Sequence, residues 1–119
     1  MTIGEAAAET GLSQDTLRYY ERIGILLGIP RNASGHRRYP KRTIEWLGMV
    51  GRLRTTGMPV DALRRYAALA RAGRHTLPER REILAAHAGR VEREAVRLND
   101  VASLLRRKLE RFDEAARQT

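Results

Sequence analysis

The most regular pattern of apolar and polar positions in this sequence occupies its last third. Two series of apolar residues each recur at every seventh position, with mostly polar and charged residues between them. The first series is Leu84, Val91, Leu98, Leu105 and Phe112, and the second is Ala88, Ala95, Ala102 and Leu109. This repeat predicts a coiled-coil helix, in which the first series takes the d positions and the second takes the a positions.

Alanine at three of the four a positions lets two helix backbones approach closely. This composition favours antiparallel pairing over a parallel zipper with β-branched a residues. The stripe could instead pack on the domain of its own chain, but a domain of about 75 residues offers little surface to a helix of roughly 50 Å. We therefore expect residues 75–119 to form an antiparallel coiled-coil dimerisation helix, which begins at a capping box made by Thr76 and Glu79.

Shorter apolar repeats near the N-terminus predict a helix-turn-helix. A first helix should run from Ile3 to about Glu9, with Gly11 in the turn because glycine adopts a positive φ without steric cost. Ser13 is placed to cap a second helix that ends near Gly24. The small and apolar residues that would hold these helices together are Ala7, Gly11, Leu12, Leu17 and Tyr20. Many helical hairpins share this spacing, so alone it is only moderately specific.

The segment between the second helix and Tyr39 has the composition of a small β-hairpin. Gly24–Pro30 is apolar and interrupted by glycine and proline, and a cluster of turn residues follows at Asn32–Gly35. The basic residues after this turn would form the second strand. A basic hairpin directly after a helix-turn-helix predicts a wing that grips the phosphate backbone.

Two more helices are predicted before the long one. The first begins near Lys41 and stops at Gly57, and the second opens at Pro59 and ends at Gly73. Their apolar faces comprise Ile44, Leu47, Val50 and Leu53 in the first helix and Val60, Leu63 and Tyr66 in the second. The predicted fold class is therefore all-α with a small β-hairpin wing: a winged helix-turn-helix domain over residues 1–74, followed by the long coiled-coil dimerisation helix.

The charge of the chain indicates a polyanionic partner. The formal net charge is +9, and residues 1–76 account for +7 of it. We therefore expect double-stranded DNA to bind the first part, with an anionic membrane surface as the second choice. Arginine makes up 21 of the 23 basic residues, which suits bidentate contacts to phosphate and guanine, although a GC-rich genome would also favour arginine codons.

Several classes of protein are disfavoured by what the sequence lacks. Without cysteine there is no disulfide, thiolate metal site or thiol redox sensor. The three histidines lie in separate segments, so we expect no metal site, and we expect no cofactor. No catalytic motif or phosphate loop is recognised, and an enzyme is not expected. The sequence contains no apolar run that could span a bilayer and no secretory signal, so the cytoplasm is the expected compartment.

Four short motifs carry a resemblance to a known family. They are Thr16-Leu17-Arg18-Tyr19-Tyr20-Glu21, Gly24-Ile25-Leu26, Arg31-x-x-x-Gly35-His36-Arg37-x-Tyr39 and Leu53-Arg54-x-x-Gly57-Met58. At this spacing they resemble the signature of the MerR family of bacterial transcription regulators. The resemblance runs from Ile3 to about Leu69, and the coiled-coil helix fits the family as well.

The resemblance implies a winged helix-turn-helix protein that binds a palindromic promoter operator as an antiparallel coiled-coil homodimer. Family members bend and untwist the DNA between promoter elements, which makes RNA polymerase a candidate further partner. In the family the segment after the coiled coil binds the inducer, and only seven residues follow Phe112 here. We expect a small member without a separate effector-binding domain, unless the chain has been trimmed.

The expected DNA contacts lie on the second helix, the wing and the third helix. They are Gln14, Thr16, Arg18, Tyr19, His36, Arg37, Arg38, Tyr39 and Arg54. Gln14 and Thr16 are candidates for contacts to base edges, while Arg18 could bind a base or a phosphate. Tyr19 is a better candidate for a phosphate contact than Tyr20, which falls in the apolar register.

Roles on the wing follow from the resemblance. It implies that Arg37 binds a phosphate and that Tyr39 packs or forms a hydrogen bond at the base of the wing. His36 stands where the family often has tyrosine, which leaves its role open. Arg54 would face the DNA, although a solvated arginine fits the pattern equally well. Glu21 is expected to form a salt bridge.

Two other functions remain open on the sequence. An excisionase-like architectural protein would use a related winged helix to bend DNA without activating transcription, but such proteins are usually smaller and lack a dimer arm. A membrane-surface protein would need a basic amphipathic helix with bulky apolar anchors. The last helix has mixed charge and many alanines instead.

Overall fold

The computed structural model describes residues 1–26 and 29–118, and within them the chain forms five α-helices. Helix α1 covers Ile3–Thr10, α2 covers Gln14–Arg22, α3 covers Lys41–Thr55, α4 covers Val60–Ala72 and α5 covers Leu77–Gln118. A single 3-10 turn over Arg74–Thr76 joins α4 to α5. The chain divides into two compact units, the first ending at Leu84 and the second beginning at Ala85, so that α5 contributes to both.

The first two helices begin at hydroxyl side chains. Ser13 caps α2 as predicted, because its Oγ accepts a hydrogen bond from the Thr16 amide at 3.0 Å. Helix α1 begins with a capping box in which the side chains of Thr2 and Glu5 each accept from the other residue's amide at 3.1 Å. Between these helices Gly11 has φ 74°, which confirms the predicted turn.

The core of the first unit is formed where the helices meet the segment after α2. Its fully buried side chains include Leu17, Ile25, Tyr39, Leu47, Val50, Met58 and Leu63. The ring of Trp46 stacks on Tyr66 with 5.7 Å between the ring centroids. Truncating a buried leucine to alanine costs about 2–5 kcal/mol of stability. Packing of this kind therefore fixes the inner face of α2 against the rest of the domain.

The predicted β-hairpin wing is replaced by a looser turn, and the described residues contain no β-strand. One antiparallel bridge joins Arg31 to Arg37. The ladder ends there among the described residues because Pro30, whose carbonyl accepts from the Arg38 amide at 2.7 Å, has no N–H to donate in return. We call Pro30–Tyr39 the turn segment. Residues 27–28, which belong to the predicted first strand, lie outside the described residues.

The junction of α4 and α5 differs from the predicted capping box. The hydroxyl of Thr76 lies 2.6 Å from the carbonyl oxygen of Leu69 and 2.7 Å from that of Gly73. Glu79 forms an ion pair with Arg65 on α4, at 3.1 Å. The capping box does not form because the 3-10 turn runs directly into α5 and directs the Thr76 side chain back to α4.

Helix α5 is 42 residues long and presents an exposed apolar stripe. In the second unit the side chains of Leu98, Leu105, Leu109 and Phe112 are 54–62% exposed. The predicted helix is thus confirmed, whereas its pairing with a second copy stays a prediction. Among the described residues, no helix combines the length and the apolar character needed to cross a membrane.

Candidate nucleic-acid interface

Helix α2 buries one face and exposes the other. Leu17 and Tyr20 are 0% and 5% exposed, which confirms the prediction that Tyr20 belongs to the core. Gln14, Arg18 and Tyr19 are exposed on the opposite side. The predicted candidates for base and phosphate contacts on this helix are therefore presented to solvent, and the apolar side chains hold the helix in place.

The guanidinium of Arg18 lies along the first turns of α2. Its Nη1 is 3.3 Å from Asp15 Oδ1, and its Nη2 is 3.4 Å from Gln14 Oε1. Exposed ion pairs of this kind contribute at most about 1 kcal/mol, because water competes for both partners. A phosphate or a guanine edge can therefore replace Asp15 at little cost.

Thr16 is half-buried, whereas Gln14, Asp15 and Arg18 are exposed. Its hydroxyl lies 2.8 Å from the Ser13 hydroxyl, and its amide donates to the same oxygen. The Thr16 side chain thus takes part in the N-terminal cap of the helix. A contact between Thr16 and a base edge would have to share this hydrogen bond.

The exposed ring of Tyr19 has a cationic neighbour that the sequence analysis missed. The guanidinium carbon of Arg22 lies 5.5 Å from the centre of that ring. An aromatic residue followed by arginine three positions later on a helix is the signal that could have identified the pair. Arg22 therefore adds a positive charge beside the ring of Tyr19.

The turn predicted at Asn32–Gly35 is closed by the side chain of its first residue. The Asn32 Oδ1 atom accepts from the amides of Ser34 and His36, at 3.0 and 3.1 Å. Asparagine commonly closes turns in this way, and this property was the available signal. The side chains of His36 and Arg38 remain exposed, as a contact with DNA would require.

An ion pair connects the turn segment to α2. The Nε atom of Arg37 lies 2.6 Å from Glu21 Oε2, and the two side chains are 30% and 23% exposed. The prediction that Glu21 forms a salt bridge is confirmed. This contact brings the turn segment and α2 together, and it occupies one edge of the Arg37 guanidinium.

Tyr39 is a core residue and not a surface contact. Its side chain is 1% exposed, so it cannot reach a phosphate without a rearrangement of the domain. Burial raises the pKa of Tyr39, and the nearby carboxylate of Glu21 raises it further. Of the predicted roles, packing at the base of the turn segment is the one that this position allows, and the DNA contact is corrected.

Arg54 lies near the C-terminal end of α3, and its side chain is exposed. Within residues 1–26 and 29–118, no hydrogen bond or ion pair connects that side chain with α2 or the turn segment. The same described residues contain no group of three histidine or carboxylate side chains arranged to hold a metal ion. Arg54 therefore stays a predicted contact on α3, and no bond among the described residues ties it to α2 or the turn segment.

These features together define a class of protein. A helix-turn-helix whose second helix exposes a polar face, joined by an ion pair to a basic turn segment, is a DNA-binding arrangement. The model of the MerR HTH family of regulatory proteins matches residues 1–69, which is more than half of the chain. The chain belongs to this family of DNA-binding transcription regulators.

Three individual proteins illustrate the relationship. The HTH-type transcriptional regulator AdhR of Bacillus subtilis is 38% identical over 85 residues, which cover 71% of this chain and 61% of AdhR. An uncharacterized HTH-type transcriptional regulator of Haemophilus influenzae is 30% identical over 96% of this chain and 84% of its own length. The crystal structure of HiNmlR, a MerR family regulator lacking the sensor domain and bound to promoter DNA, matches with a TM-score of 0.87. That structure is 30% identical and covers 96% of this chain and 90% of its own.

Proposed function

We propose that the chain regulates transcription by binding a palindromic promoter operator as an antiparallel coiled-coil homodimer. The observation that carries this proposal is the likeness to HiNmlR, a structure with promoter DNA bound, over 96% of the chain. The likeness includes the helix-turn-helix and most of α5.

In the proposed complex, α2 is the recognition helix in the major groove. Gln14, Arg18 and Tyr19 are exposed there, and Thr16 stands beside them at the helix start. The turn segment acts as the wing: His36 and Arg38 are exposed, and Arg37 binds the backbone with the edge that Glu21 leaves open. Arg54 provides a phosphate contact from α3.

The proposed dimer interface is the apolar stripe of α5. It consists of Leu84, Val91, Leu98, Leu105 and Phe112 at the d positions and Ala88, Ala95, Ala102 and Leu109 at the a positions. Leaving several large apolar side chains in water is unfavourable, at roughly 25 cal/mol per Å² of apolar surface. The exposure of Leu98, Leu105 and Phe112 in the single chain supports a surface that is covered in solution.

A dimer that binds two half-sites can impose strain on base pairs that it does not touch. We propose that this strain bends and untwists the DNA between promoter elements and so changes their alignment for RNA polymerase. The physical requirement is that α2 be held rigidly in its domain, since a loosely attached helix would follow the DNA instead of deforming it. The burial of Leu17 and Tyr20 supports this requirement.

The test is fluorescence anisotropy with the DNA upstream of the protein's own gene and a scrambled sequence of equal length, at two salt concentrations. We expect tight binding to the native DNA alone, weakened by salt because phosphate contacts release counterions. Equal binding to both DNAs would contradict an operator-binding regulator. That result would favour an architectural protein that bends DNA without sequence preference.

A further inference from the structure

Three consecutive carbonyl groups directly after α2 are each bonded by a side chain from another helix. The carbonyl oxygens of residues 23–25 accept, in order, from Arg64 at 3.2 Å, Arg71 at 2.6 Å and Trp46 at 2.9 Å. Arg64 and Arg71 lie on α4, and Trp46 lies on α3. The end of α2 is therefore attached to both following helices through its backbone.

The physics of a helix end explains why arginine suits this place. The last carbonyl groups of a helix have no partner within the helix, and they carry the negative end of the helix dipole. Ile23 is the C-cap residue of α2, so Arg64 satisfies a carbonyl at that end, while Arg71 bonds the carbonyl of Gly24 one residue further on and places its positive charge nearby. At Gly24, which has φ 86°, an added Cβ would lie 3.6 Å from the Arg71 guanidinium, so the backbone and this side chain fit closely.

These bonds restrain motions that the buried side chains of α2 leave free. Leu17 and Tyr20 anchor the inner face of the helix, and Ile25 and Leu26 bury the segment that follows it, but apolar contacts are non-directional and permit a small rotation or tilt. Bonds to the backbone at residues 23–25 fix the C-terminal end as well. The exposed face that carries Arg18 and Tyr19 is then held at one angle to α4.

We propose that Arg64 and Arg71 are positioning residues for DNA recognition. They bind no DNA themselves but hold the end of α2 to α4 and so set the angle at which Arg18 and Tyr19 meet the operator. The inference rests on the proposed function, because it takes α2 as the recognition helix. Misplacing a group that recognises a base edge by about 1 Å is enough to lose a bidentate contact.

The connection extends along the chain to the start of α5. Arg80, in the first turns of α5, donates from Nε to the Thr76 hydroxyl at 3.0 Å and from Nη2 to the carbonyl of Gly73 at 3.3 Å. Both contacts lie within the first compact unit. The angle of α2 is thus linked through α4 to the first turn of the helix proposed to form the dimer.

The test compares two variants with a matched control on the same helix. Arg71→Met and Arg64→Met each remove one bond to the segment after α2. Arg65→Met removes the same charge from α4, but Arg65 bonds to Glu79 and not to that segment. Affinities for the native upstream DNA and for scrambled DNA are measured by fluorescence anisotropy over a series of salt concentrations.

We expect Arg71→Met to weaken binding to the native DNA about tenfold relative to Arg65→Met. Its affinity for scrambled DNA and its salt dependence should match those of the control, because no phosphate contact is lost. Arg71→Lys keeps a charged donor and should recover most of the affinity. A salt slope lower by about one for Arg71→Met alone would identify a direct phosphate contact and overturn the proposal. Affinity equal to that of Arg65→Met would also overturn it.

Hydrogen exchange provides a readout that does not need DNA. The amides of Ile25 and Leu26 both donate to the carbonyl of Tyr20, at 2.9 and 3.0 Å. We expect them to exchange faster in Arg71→Met than in Arg65→Met, and equal protection would contradict the positioning role. If Arg71→Met fails to fold, Arg64→Met, which removes the longer bond, takes its place in both the DNA-affinity and the hydrogen-exchange measurements.

The two proposals fail in distinguishable ways. A wild-type chain that does not discriminate native from scrambled DNA overturns the proposed function, and the positioning role falls with it. A wild-type chain that discriminates, together with Arg71→Met and Arg64→Met variants that behave as Arg65→Met does, overturns the positioning role alone.

Discussion

Arg18 and Arg37 both belong to the candidate DNA interface, but their surroundings differ. The Arg37–Glu21 pair is partly buried, so removing one partner leaves the other poorly solvated. The Arg18–Asp15 pair is exposed, with Asp15 97% accessible, and water screens it. Arg18 is therefore free to exchange its partner for DNA, while Arg37 also holds the turn segment to α2.

We expect Arg18→Ala to weaken operator binding by about 1–3 kcal/mol, because a guanidinium that contacts a base or a phosphate is lost. The stability of the domain should change little, since the ion pair to Asp15 is exposed. Anisotropy titrations measure the effect, and Arg81→Ala, an exposed arginine on α5, controls for the loss of one charge. An affinity equal to that of Arg81→Ala would remove Arg18 from the interface.

Tyr39 should make the stability of the protein depend on alkaline pH. Its folded-state pKa is raised by burial above the usual value of about 10. The neutral phenol therefore stabilises the fold below pH 10, and this contribution is lost as the pH rises through the folded pKa. We expect the free energy of unfolding in urea to fall above about pH 10 more steeply in wild type than in Tyr39→Phe. Parallel curves for the two proteins would show that another group is responsible.

The ends of the helices are determined by side chains that satisfy backbone groups. The hydroxyl groups of Thr2 and Ser13 each accept a hydrogen bond from the amide three residues later in the chain. The hydroxyl of Thr76, a residue that is 7% exposed, instead bonds to the carbonyl of Leu69 on α4 and to that of Gly73, the C-cap residue of α4. The 3-10 turn between α4 and α5 is therefore held by a buried hydroxyl group and not by an N-terminal cap of α5.

Thr76→Val keeps the shape of the side chain and removes the hydroxyl. We expect a loss of about 1–2 kcal/mol in the free energy of unfolding, because two partly buried carbonyl groups lose a donor. Urea denaturation measures it, with Thr55→Val as the control, since the Thr55 hydroxyl contacts the carbonyl of Arg52 at an exposed site. Equal losses in both variants would mean that the Thr76 bonds contribute nothing specific.

At the level of the whole molecule, the exposed apolar stripe of α5 is the surface through which we propose that the chain forms a dimer. Apolar side chains also lie outside the two heptad series, at Val96, Val101 and Leu104. Val96 is 63% exposed and occupies a b position, away from the proposed seam, whereas Leu98 occupies a d position. The two residues lie close together on one helix and form a matched pair for a test.

Leu98→Glu should convert the dimer to a monomer, because it places a charge in the apolar seam. Val96→Glu should leave the dimer intact, since its b position faces solvent in a two-stranded coil. Sedimentation equilibrium distinguishes the two states. A Leu98→Glu variant that remains dimeric would refute the seam.

The helices and the family could be predicted from residues that lie close together in the chain. The seven-residue repeat of α5, the cap at Ser13 and the turn at Gly11 depend on residues close together in the chain, so their spacing is sufficient to predict them. The exposed face of α2 follows from the same periodicity. The motif spacing of the MerR family is also a property of the sequence alone.

Only the tertiary structure decided the contacts between distant residues. The backbone of Tyr39, at the end of the turn segment, pairs with that of Met1, 38 residues away. Arg71 and Arg64 bond to carbonyls 47 and 41 residues earlier in the chain. Backbone carbonyls carry no sequence signal, and which side chain reaches them depends on how α4 packs on the domain. For this reason the exposed face of α2 could be predicted from the sequence, but the arginines that bond to the segment after it could not.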